Sequence, residues 1–192
     1  ISKRCCLSSE VISSEESFVA DLFQLNQVYE KEIKKSKIFD NIQFKFIFGE
    51  IPGIVNTHKK LLGDLKQIQV NYASEFGPVF LNFVDNFKVS LSFISKYKKV
   101  DEMIKQKLLR PDAEAKFKEI EDANESGKTF MSYYITPVQR YPRYPLLIRD
   151  LIKCTPDFHP DKHYLTKALH EIDNANKRLD ETSHKIKQLV EI

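Results

Sequence analysis

The sequence contains little glycine and little cysteine, and each shortage excludes a class of function. Its 192 residues include five glycines, and no two of these lie within three positions of each other. Because a phosphate-binding loop needs clustered glycines, the sequence has neither a P-loop nor a Rossmann nucleotide site. The three cysteines provide neither a disulfide framework nor a Cys-x-x-Cys motif, so we expect a reducing, intracellular setting.

Long apolar runs and a strong excess of one charge are also missing. No apolar run approaches the roughly 18 residues that predict a membrane-spanning helix. The formal net charge is only +3 and the basic residues are spread over the whole chain, so we predict no nucleic-acid partner. The chain begins at Ile1 with neither a methionine nor an apolar signal peptide, and we expect it to be a piece of a longer protein.

Apolar residues recur at helical spacing near both ends of the chain. One series steps by three or four positions from Leu7 to Tyr29, and another runs from Leu165 to Leu189. The alternation that predicts strands is hard to find. Only the stretch 41–48 (NIQFKFIF) could form a strand, and it could equally form a buried helical turn. We therefore predict an all-α fold.

Prolines and glycines divide this all-α chain into predicted helices. These are expected at about 5–36, 51–70, 77–109, 128–154 and 160–191, and the fourth is broken by prolines. A short turn is expected at about 40–48 and a polar connector at about 110–126. The sequence shows no internal repeat, so we predict one domain over residues 1–192.

A search for catalytic and metal-binding motifs finds neither His-Glu-x-x-His nor Gly-x-Ser-x-Gly. His159 and His163, with Asp157 nearby, could share a helix face and bind a metal. However, Pro160 places His159 at the start of a helix, outside the regular i, i+4 geometry, and further ligands are lacking. Cys154 lies among apolar residues and is predicted to fill the core. We predict no metal, no cofactor and no enzymatic bond chemistry.

Two segments of the sequence carry charges of opposite sign. Residues 5–30 contain five acidic residues and no lysine or arginine, and residues 126–149 contain four basic residues and no acidic one. Because opposite charges attract, we predict that the two segments lie side by side. Two short lysine clusters, at 34–37 and 96–99, could contact an acidic membrane, but such clusters are more often helix ends that face water.

The segment 133–148 combines three prolines with a helical apolar pattern. A proline inside a helix kinks it and costs about 3 kcal/mol. Ile135, Gln139 and Arg143 nonetheless follow an i, i+4, i+8 spacing that places them on one face. Two interpretations are open. The segment is either a protein-binding surface on a kinked, rigid helix or a kinked core helix whose polar stripe faces water.

Residues 133–152 (YYITPVQRYPRYPLLIRDLI) resemble the most characteristic helix of the Dbl-homology domain of Rho guanine-nucleotide exchange factors. The family pattern there is L-I-x-P-V-Q-R-I-x-K/R-Y-x-L-L-L-x-E/D-L. Residues 10–22 (EVISSEESFVADL) resemble its first signature, E-L/I-x-x-T-E-x-x-Y-V-x-D-L. A looser similarity covers the middle of the chain, so the resemblance spans nearly all of it.

This resemblance implies a fold and a function. The fold would be an elongated bundle of about six helices. The function would be to bind a Rho-type small GTPase, open its nucleotide and magnesium site and speed GDP release, without making or breaking a bond. Family members usually continue into a pleckstrin-homology domain, which we expect after Ile192, outside this chain. Through that adjacent domain the resemblance implies membrane contact by a cytoplasmic protein that is recruited to the membrane.

The resemblance also assigns roles to five residues. Glu10 matches the acid of the first helix that holds switch I of the GTPase. Gln139 and Arg143 match the residues that face switch II. Ile135 matches a position that distinguishes Rac from its relatives, and isoleucine there favours a Rac-like partner. Asp180 stands where the family often has asparagine, so a side chain that donates and accepts is replaced by one that only accepts.

Three further residues of the two signatures are expected to be structural or depart from the family pattern. Arg140 points to another face of its helix than Gln139 and is predicted to be structural. Tyr141 and Phe18 are milder departures, since the family usually has isoleucine at the position of Tyr141 and often has tyrosine at the position of Phe18.

The alternative function is that of a helical scaffold or membrane-associated bundle without exchange activity. Long helices dotted with lysines would suit it, but it explains neither the proline-rich segment nor the acid at Glu10.

Overall fold

The computed structural model describes residues 3–124 and 126–190, and within these ranges the side chains of residues 87–89, 91, 179, 180 and 182–190 lie outside the description. The described residues form helices and no strand, which confirms the all-α prediction. The α-helices are α1 (Lys3–Phe23), α2 (Glu30–Ser36), α3 (Asn41–Phe48), α4 (Ile51–Lys66), α5 (Gly77–Phe83), α6 (Phe87–Lys107), α7 (Pro111–Asp122), α8 (Phe130–Tyr134), α9 (Thr136–Lys153) and α10 (Pro160–Val190).

Several of these helices join end to end. A π-helical segment, Gln24–Tyr29, connects α1 to α2, and one 3-10 turn, Val84–Asn86, connects α5 to α6. Helices α8 and α9 meet at Ile135, directly before the two residues Thr136 and Pro137 that begin α9. The predicted break in the proline-rich helix therefore lies at its first proline, and α9 continues through the other two.

The stretch 41–48 is a helix, so its strand interpretation was wrong. Asp40 caps the helix, because its carboxylate accepts a hydrogen bond from the backbone N–H of Gln43 at 2.8 Å. Ile47 and Phe48 are buried against the core. The hydroxyl of Tyr134 donates to the carbonyl of Ile47 at 2.7 Å, which ties α3 to α8.

The prediction of a polar connector over 110–126 was also wrong, because α7 occupies most of it. Pro111 stands at the first helical position, and acidic residues in the first turn favour the helix start. Ala113, Phe117 and Ile120 recur at helical spacing and are buried. The dense charged residues between them hid this pattern in the sequence.

The buried apolar side chains form two clusters along the bundle. One cluster contains Phe18 and Leu22 of α1 together with residues of α3, α6, α7 and α8. The other contains Val11 of α1 together with residues of α4, α5, α9 and α10. Because α1 contributes to both clusters at successive levels, it runs along the length of an elongated bundle, as the resemblance implied. Within the part of the chain that the structure describes, no helix is both long and apolar enough to cross a bilayer.

A buried ion pair joins the start of α1 to the start of α10. Arg4 is 2% exposed and its Nη2 lies 2.8 Å from Oδ2 of Asp161, which is fully buried. The other carboxylate oxygen of Asp161 accepts from the backbone N–H of Gly77 at 2.7 Å. Arg4 Nη1 also donates to the hydroxyl of Thr155 at 3.1 Å. Since these groups belong to four separate stretches of chain, the pair fixes how one end of the bundle closes.

Gly77 is required where α5 meets α10. A Cβ atom at this position would lie 2.5 Å from the backbone nitrogen of Leu165 and 2.5 Å from the Cβ of Tyr164. Neither atom is the far end of a flexible side chain, so the two helices could not keep this distance with any other residue.

We predict that Gly77→Ala lowers the free energy of unfolding by about 1–3 kcal/mol, the usual effect of overpacking a close contact. Gly63→Ala is the matched control, because it lies inside α4 with nothing within 4 Å of its Cβ position. That variant should be neutral or more stable by up to about 1 kcal/mol, the helix preference of alanine over glycine. Urea denaturation measures both. Equal stabilities for the two variants would contradict the close approach.

Candidate functional site

Helices α1 and α9 pack side by side with their charges matched. Asp21 lies 2.7 Å from Nζ of Lys128, and Glu15 pairs with Arg140. These contacts confirm that the acidic segment 5–30 and the basic segment 126–149 lie together. Asp21 precedes Glu15 along this contact, while their partners run in the opposite numerical order, from Lys128 to Arg140. The two helices therefore run antiparallel.

The centre of this contact is a buried cluster around the carboxylate of Glu15. Glu15 is fully buried, and Nε of Arg140 donates to its Oε2 at 3.1 Å. The Tyr144 hydroxyl donates to the same oxygen at 2.8 Å. Nδ1 of His58 lies 2.7 Å from Oε1. Glu15 therefore binds residues of α4 and α9 at once, and all of its partners are at least nine-tenths buried. We call these four residues the Glu15 cluster.

The Glu15 cluster extends to α6 through the second nitrogen of His58. Nε2 of His58 lies 2.9 Å from the Tyr141 hydroxyl, and Ser90 of α6 bonds to that same hydroxyl. Burial raises the pKa of Tyr141, so its hydroxyl keeps its proton. Four helices are thus joined by one continuous set of hydrogen bonds.

Electrostatics favour the charged form of Glu15 despite its burial. Burial alone would raise its pKa, but the hydrogen bond from His58 and the charges of His58 and Arg140 outweigh this, and the pKa lies below the ordinary 4.5. The Arg140 guanidinium also lies over the Tyr144 ring, 4.7 Å from its centroid. Burying one carboxylate is tolerated here because a cation and two further donors surround it.

The exposed face of α9 lies between α1 and α10. Arg140 and Tyr144 point to α1, Tyr141 points to α6, and Arg149 reaches Asp173 of α10 at 2.8 Å. Since each residue turns about 100° around a helix, the remaining sector faces solvent between α1 and α10. The exposed residues of this sector include Gln139, Pro142, Arg143 and Leu146.

The structure places the predicted site residues as follows. Gln139 and Arg143 are exposed on this face of α9. Glu10 is exposed on α1, four positions before Ser14, whose hydroxyl accepts from Arg140 at 3.2 Å. Helical spacing therefore puts Glu10 on the edge of α1 that adjoins α9. These three side chains share one side of the bundle, and we call this side the α1–α9 surface.

The other two predicted residues are placed differently. Ile135 is half-buried at the junction of α8 and α9. Asp180 belongs to α10, and its side chain lies outside the described residues. Leu146, 57% exposed, lies on the α1–α9 surface one turn beyond Arg143 and was missed. Its spacing of seven from Gln139 would have identified it.

His159 and His163 are the two histidines whose spacing could have suited a metal. The first is hydrogen-bonded to protein groups and the second is exposed. Nε2 of His159 donates to the carbonyl of Tyr72 at 2.7 Å, and Nδ1 accepts from the backbone N–H of Asp161 at 3.1 Å. His163 is exposed. Among the described residues, no group of three or more acidic, histidine or cysteine side chains is arranged to hold a metal.

Comparison with known proteins identifies a family. Residues 7–180 match the RhoGEF domain. The chain is 30% identical to dynamin-binding protein of Canis lupus familiaris over 94% of its own length and 12% of that protein. It is 31% identical to Protein ECT2 of Mus musculus, over 96% of this chain and 21% of that protein. Rho guanine nucleotide exchange factor TIAM2 of Homo sapiens is 26% identical, over 90% of this chain and 11% of that protein. The chain therefore spans only a small part of each of these relatives.

Solved structures show the same fold. The linker and DH/PH domains of p115-RhoGEF match with a TM-score of 0.89 at 19% identity, over 98% of this chain and 59% of that one. The PDZ-RhoGEF DH/PH domains in complex with activated RhoA match with a TM-score of 0.88 at 20% identity, over 94% of this chain and 54% of that one. At these identities the likeness concerns the fold alone.

The buried and exposed arginines of α9 give a direct test of the Glu15 cluster. Arg140→Leu would leave the Glu15 carboxylate buried without its cation, so we expect it to lower the free energy of unfolding by about 3–5 kcal/mol. Arg149→Leu removes the same group from the exposed pair with Asp173, and should cost at most about 1 kcal/mol. Urea denaturation compares them. Similar losses for the two variants would show that burial of the pair does not matter.

The pH dependence of stability gives a second test. Because the pKa of Glu15 is lower in the folded chain than the ordinary 4.5, its contribution is present above that pH and is lost as the pH falls through the folded pKa. We predict that Glu15→Gln flattens the decline of the free energy of unfolding below about pH 5. Glu16→Gln, at the exposed neighbouring carboxylate, should leave the decline as in the wild type. A decline unchanged by Glu15→Gln would exclude Glu15 as a source of acid sensitivity.

Proposed function

The chain belongs to the RhoGEF domain family, and from this membership we propose that it binds a Rho-family small GTPase and promotes release of its GDP. The observation that carries the proposal is the α1–α9 surface. It presents a carboxylate, Glu10, beside an amide and a guanidinium, Gln139 and Arg143, and all three are exposed. These are the residues that match the family's contacts with switch I and switch II.

The chemistry of these three side chains suits two mobile backbone segments. The Glu10 carboxylate accepts hydrogen bonds from backbone N–H groups and hydroxyls of switch I, and charge strengthens such bonds. The Gln139 amide both donates to and accepts from switch II. The Arg143 guanidinium offers a planar set of donors to carboxylates or carbonyls of the same segment.

Exchange by this surface would be differential binding. A factor that binds the nucleotide-free GTPase more tightly than the nucleotide-bound form must weaken nucleotide binding by the same ratio. Weakening nucleotide binding in this way needs neither a nucleophile nor a general base. The Glu15 cluster supports the mechanism, because it holds α1 and α9 in fixed positions before the GTPase arrives, and a preformed surface loses less entropy on binding.

Partner choice within the Rho family is a finer proposal. We propose a Rac-like partner on the basis of Ile135, whose half-buried position at the start of α9 leaves part of the side chain accessible. We include Asp180 among the GTPase-binding residues because it aligns with the family's asparagine. Two relatives of different organisms are named as Rac exchange proteins, but the chain covers only 16% and 12% of them.

Release of fluorescent GDP from a panel of Rho-family GTPases, with and without the chain, tests the function. Faster release from at least one member, with Rac among those that respond, is expected. An unchanged rate for every member, in the presence of a folded chain, would favour the scaffold alternative.

Substitution of Glu10 tests the site. We predict that Glu10→Ala slows stimulated GDP release by about 10- to 150-fold, because a charge-assisted contact worth about 1.5–3 kcal/mol is lost. Stability should change by less than about 0.5 kcal/mol, since the side chain is exposed. Glu114→Ala, at an exposed acid of α7, is the matched control and should exchange normally. Normal exchange by Glu10→Ala would remove Glu10 from the site.

A further inference from the structure

The structure brings together lysines that are far apart in the sequence, around the short helix α3. Lys34 of α2 lies over the ring of Phe44, 5.9 Å from its centroid. Lys99 of α6 lies over Phe46 at 5.8 Å. The clusters at 34–37 and 96–99, separate in the sequence, thus both contact aromatic side chains of α3.

Two further contacts extend this arrangement along α6. Nζ of Lys107 lies 5.1 Å from the ring centroid of Phe39 and 3.4 Å from Oε1 of Gln43. Lys45 is exposed on α3 itself, and Lys37 is exposed in the connection that leads to it. We call Lys34, Lys37, Lys45, Lys99 and Lys107 the lysine patch.

The lysine patch carries an excess of positive charge. Among the described residues, none of its five lysines lies within ion-pair distance of a carboxylate. The neighbouring lysines 35, 96 and 105 are paired with Glu32, Glu50 and Asp101 and add no net charge. Three carboxylates of the same elements oppose the patch: Asp40, which caps α3, Glu102 of α6, and the half-buried Glu30 of α2, which interacts electrostatically with Lys34. Five lysines against three carboxylates leave the patch with a net positive charge.

An apolar side chain projects from the middle of this region. Ile42, in the first turn of α3, is 83% exposed. In the sequence it lies between Phe39 and Phe44, and the ammonium groups of Lys107 and Lys34 lie over the rings of these two residues. An isolated exposed isoleucine is ordinary on a protein surface, but one on a short helix whose aromatic side chains contact several lysines combines the two forces that hold proteins on anionic membranes.

We propose that α3 and the lysine patch form a contact surface for an anionic lipid bilayer, with Ile42 entering the interface. The lysines supply long-range attraction to the negative headgroups, and Ile42 supplies burial of apolar area. All five cations are lysines, which act as point charges. An acidic or phosphorylated peptide would be better recognised by the bidentate geometry of arginine, which the patch lacks.

The position of the lysine patch leaves the α1–α9 surface free. Helix α6 contacts the side of α9 that carries Tyr141, which is opposite to the side that carries Gln139 and Arg143. A bilayer at α3 would therefore not cover the α1–α9 surface. The lipid contact is also independent of exchange, and either proposal can fail without the other.

Co-sedimentation with vesicles tests the proposal. The chain is mixed with vesicles of phosphatidylcholine alone or of phosphatidylcholine with phosphatidylserine, at low and physiological salt. We expect binding to the second kind only, weakening as salt rises. Lys45→Gln with Lys99→Gln should lower the partition coefficient by about 25- to 30-fold, since each lysine near an anionic surface contributes about 1 kcal/mol. Ile42→Ser, which leaves the charge unchanged, should also lower it.

The matched control is Lys60→Gln with Lys167→Gln, which removes two exposed lysines of α4 and α10. This variant should bind vesicles much as the wild type does. Equal losses for the two double variants would show that only net charge matters and would overturn the assignment to α3. Equal binding to both kinds of vesicle, or binding to polyglutamate but to neither vesicle, would overturn the proposal of an anionic bilayer.

Discussion

The rest of the structure depends on one fully buried carboxylate, that of Glu15. Glu15 lies at the contact of three helices, and a charge in that place is stable only if donors surround it. Arg140 and Tyr144 of α9 and His58 of α4 are those donors. Each must keep its position relative to the others, so the cluster fixes the spacing of α1, α4 and α9 more sharply than apolar packing alone would.

The fixed spacing connects the core to the α1–α9 surface. Gln139 and Arg140 are neighbours in the sequence and point about 100° apart, so one faces solvent while the other binds Glu15. The same division occurs on α1, where Glu10 is exposed and Glu15 is buried. Each helix thus uses one face to hold the other helix in place and an adjoining face to present polar groups. Each of the two sequence signatures therefore contains both buried residues that fix the packing and exposed polar residues.

Sequence reasoning found much of this, and its failures have physical causes. The all-α class followed from periodicity, and the attraction of oppositely charged segments predicted the packing of α1 on α9. Glu15 was missed as a core residue because it is charged, although Val11, Glu15, Phe18 and Leu22 follow one helical stripe. The pair Arg4–Asp161 could not be predicted, since its members are separated by nearly the whole chain. Helix α7 was missed because its many charged residues concealed a short apolar stripe. The π-helical segment Gln24–Tyr29 was missed because the spacing of apolar residues carries no signal for a π-helix.

We propose that a preformed α1–α9 surface binds one state of a GTPase in preference to another. The most direct measurement is the equilibrium affinity of the chain for a Rho-family GTPase freed of nucleotide and for the same GTPase loaded with GDP and magnesium. We expect much tighter binding to the nucleotide-free form, because only differential affinity can weaken nucleotide binding. Equal affinity for the two forms would contradict it, since such a protein would bind the GTPase without promoting exchange.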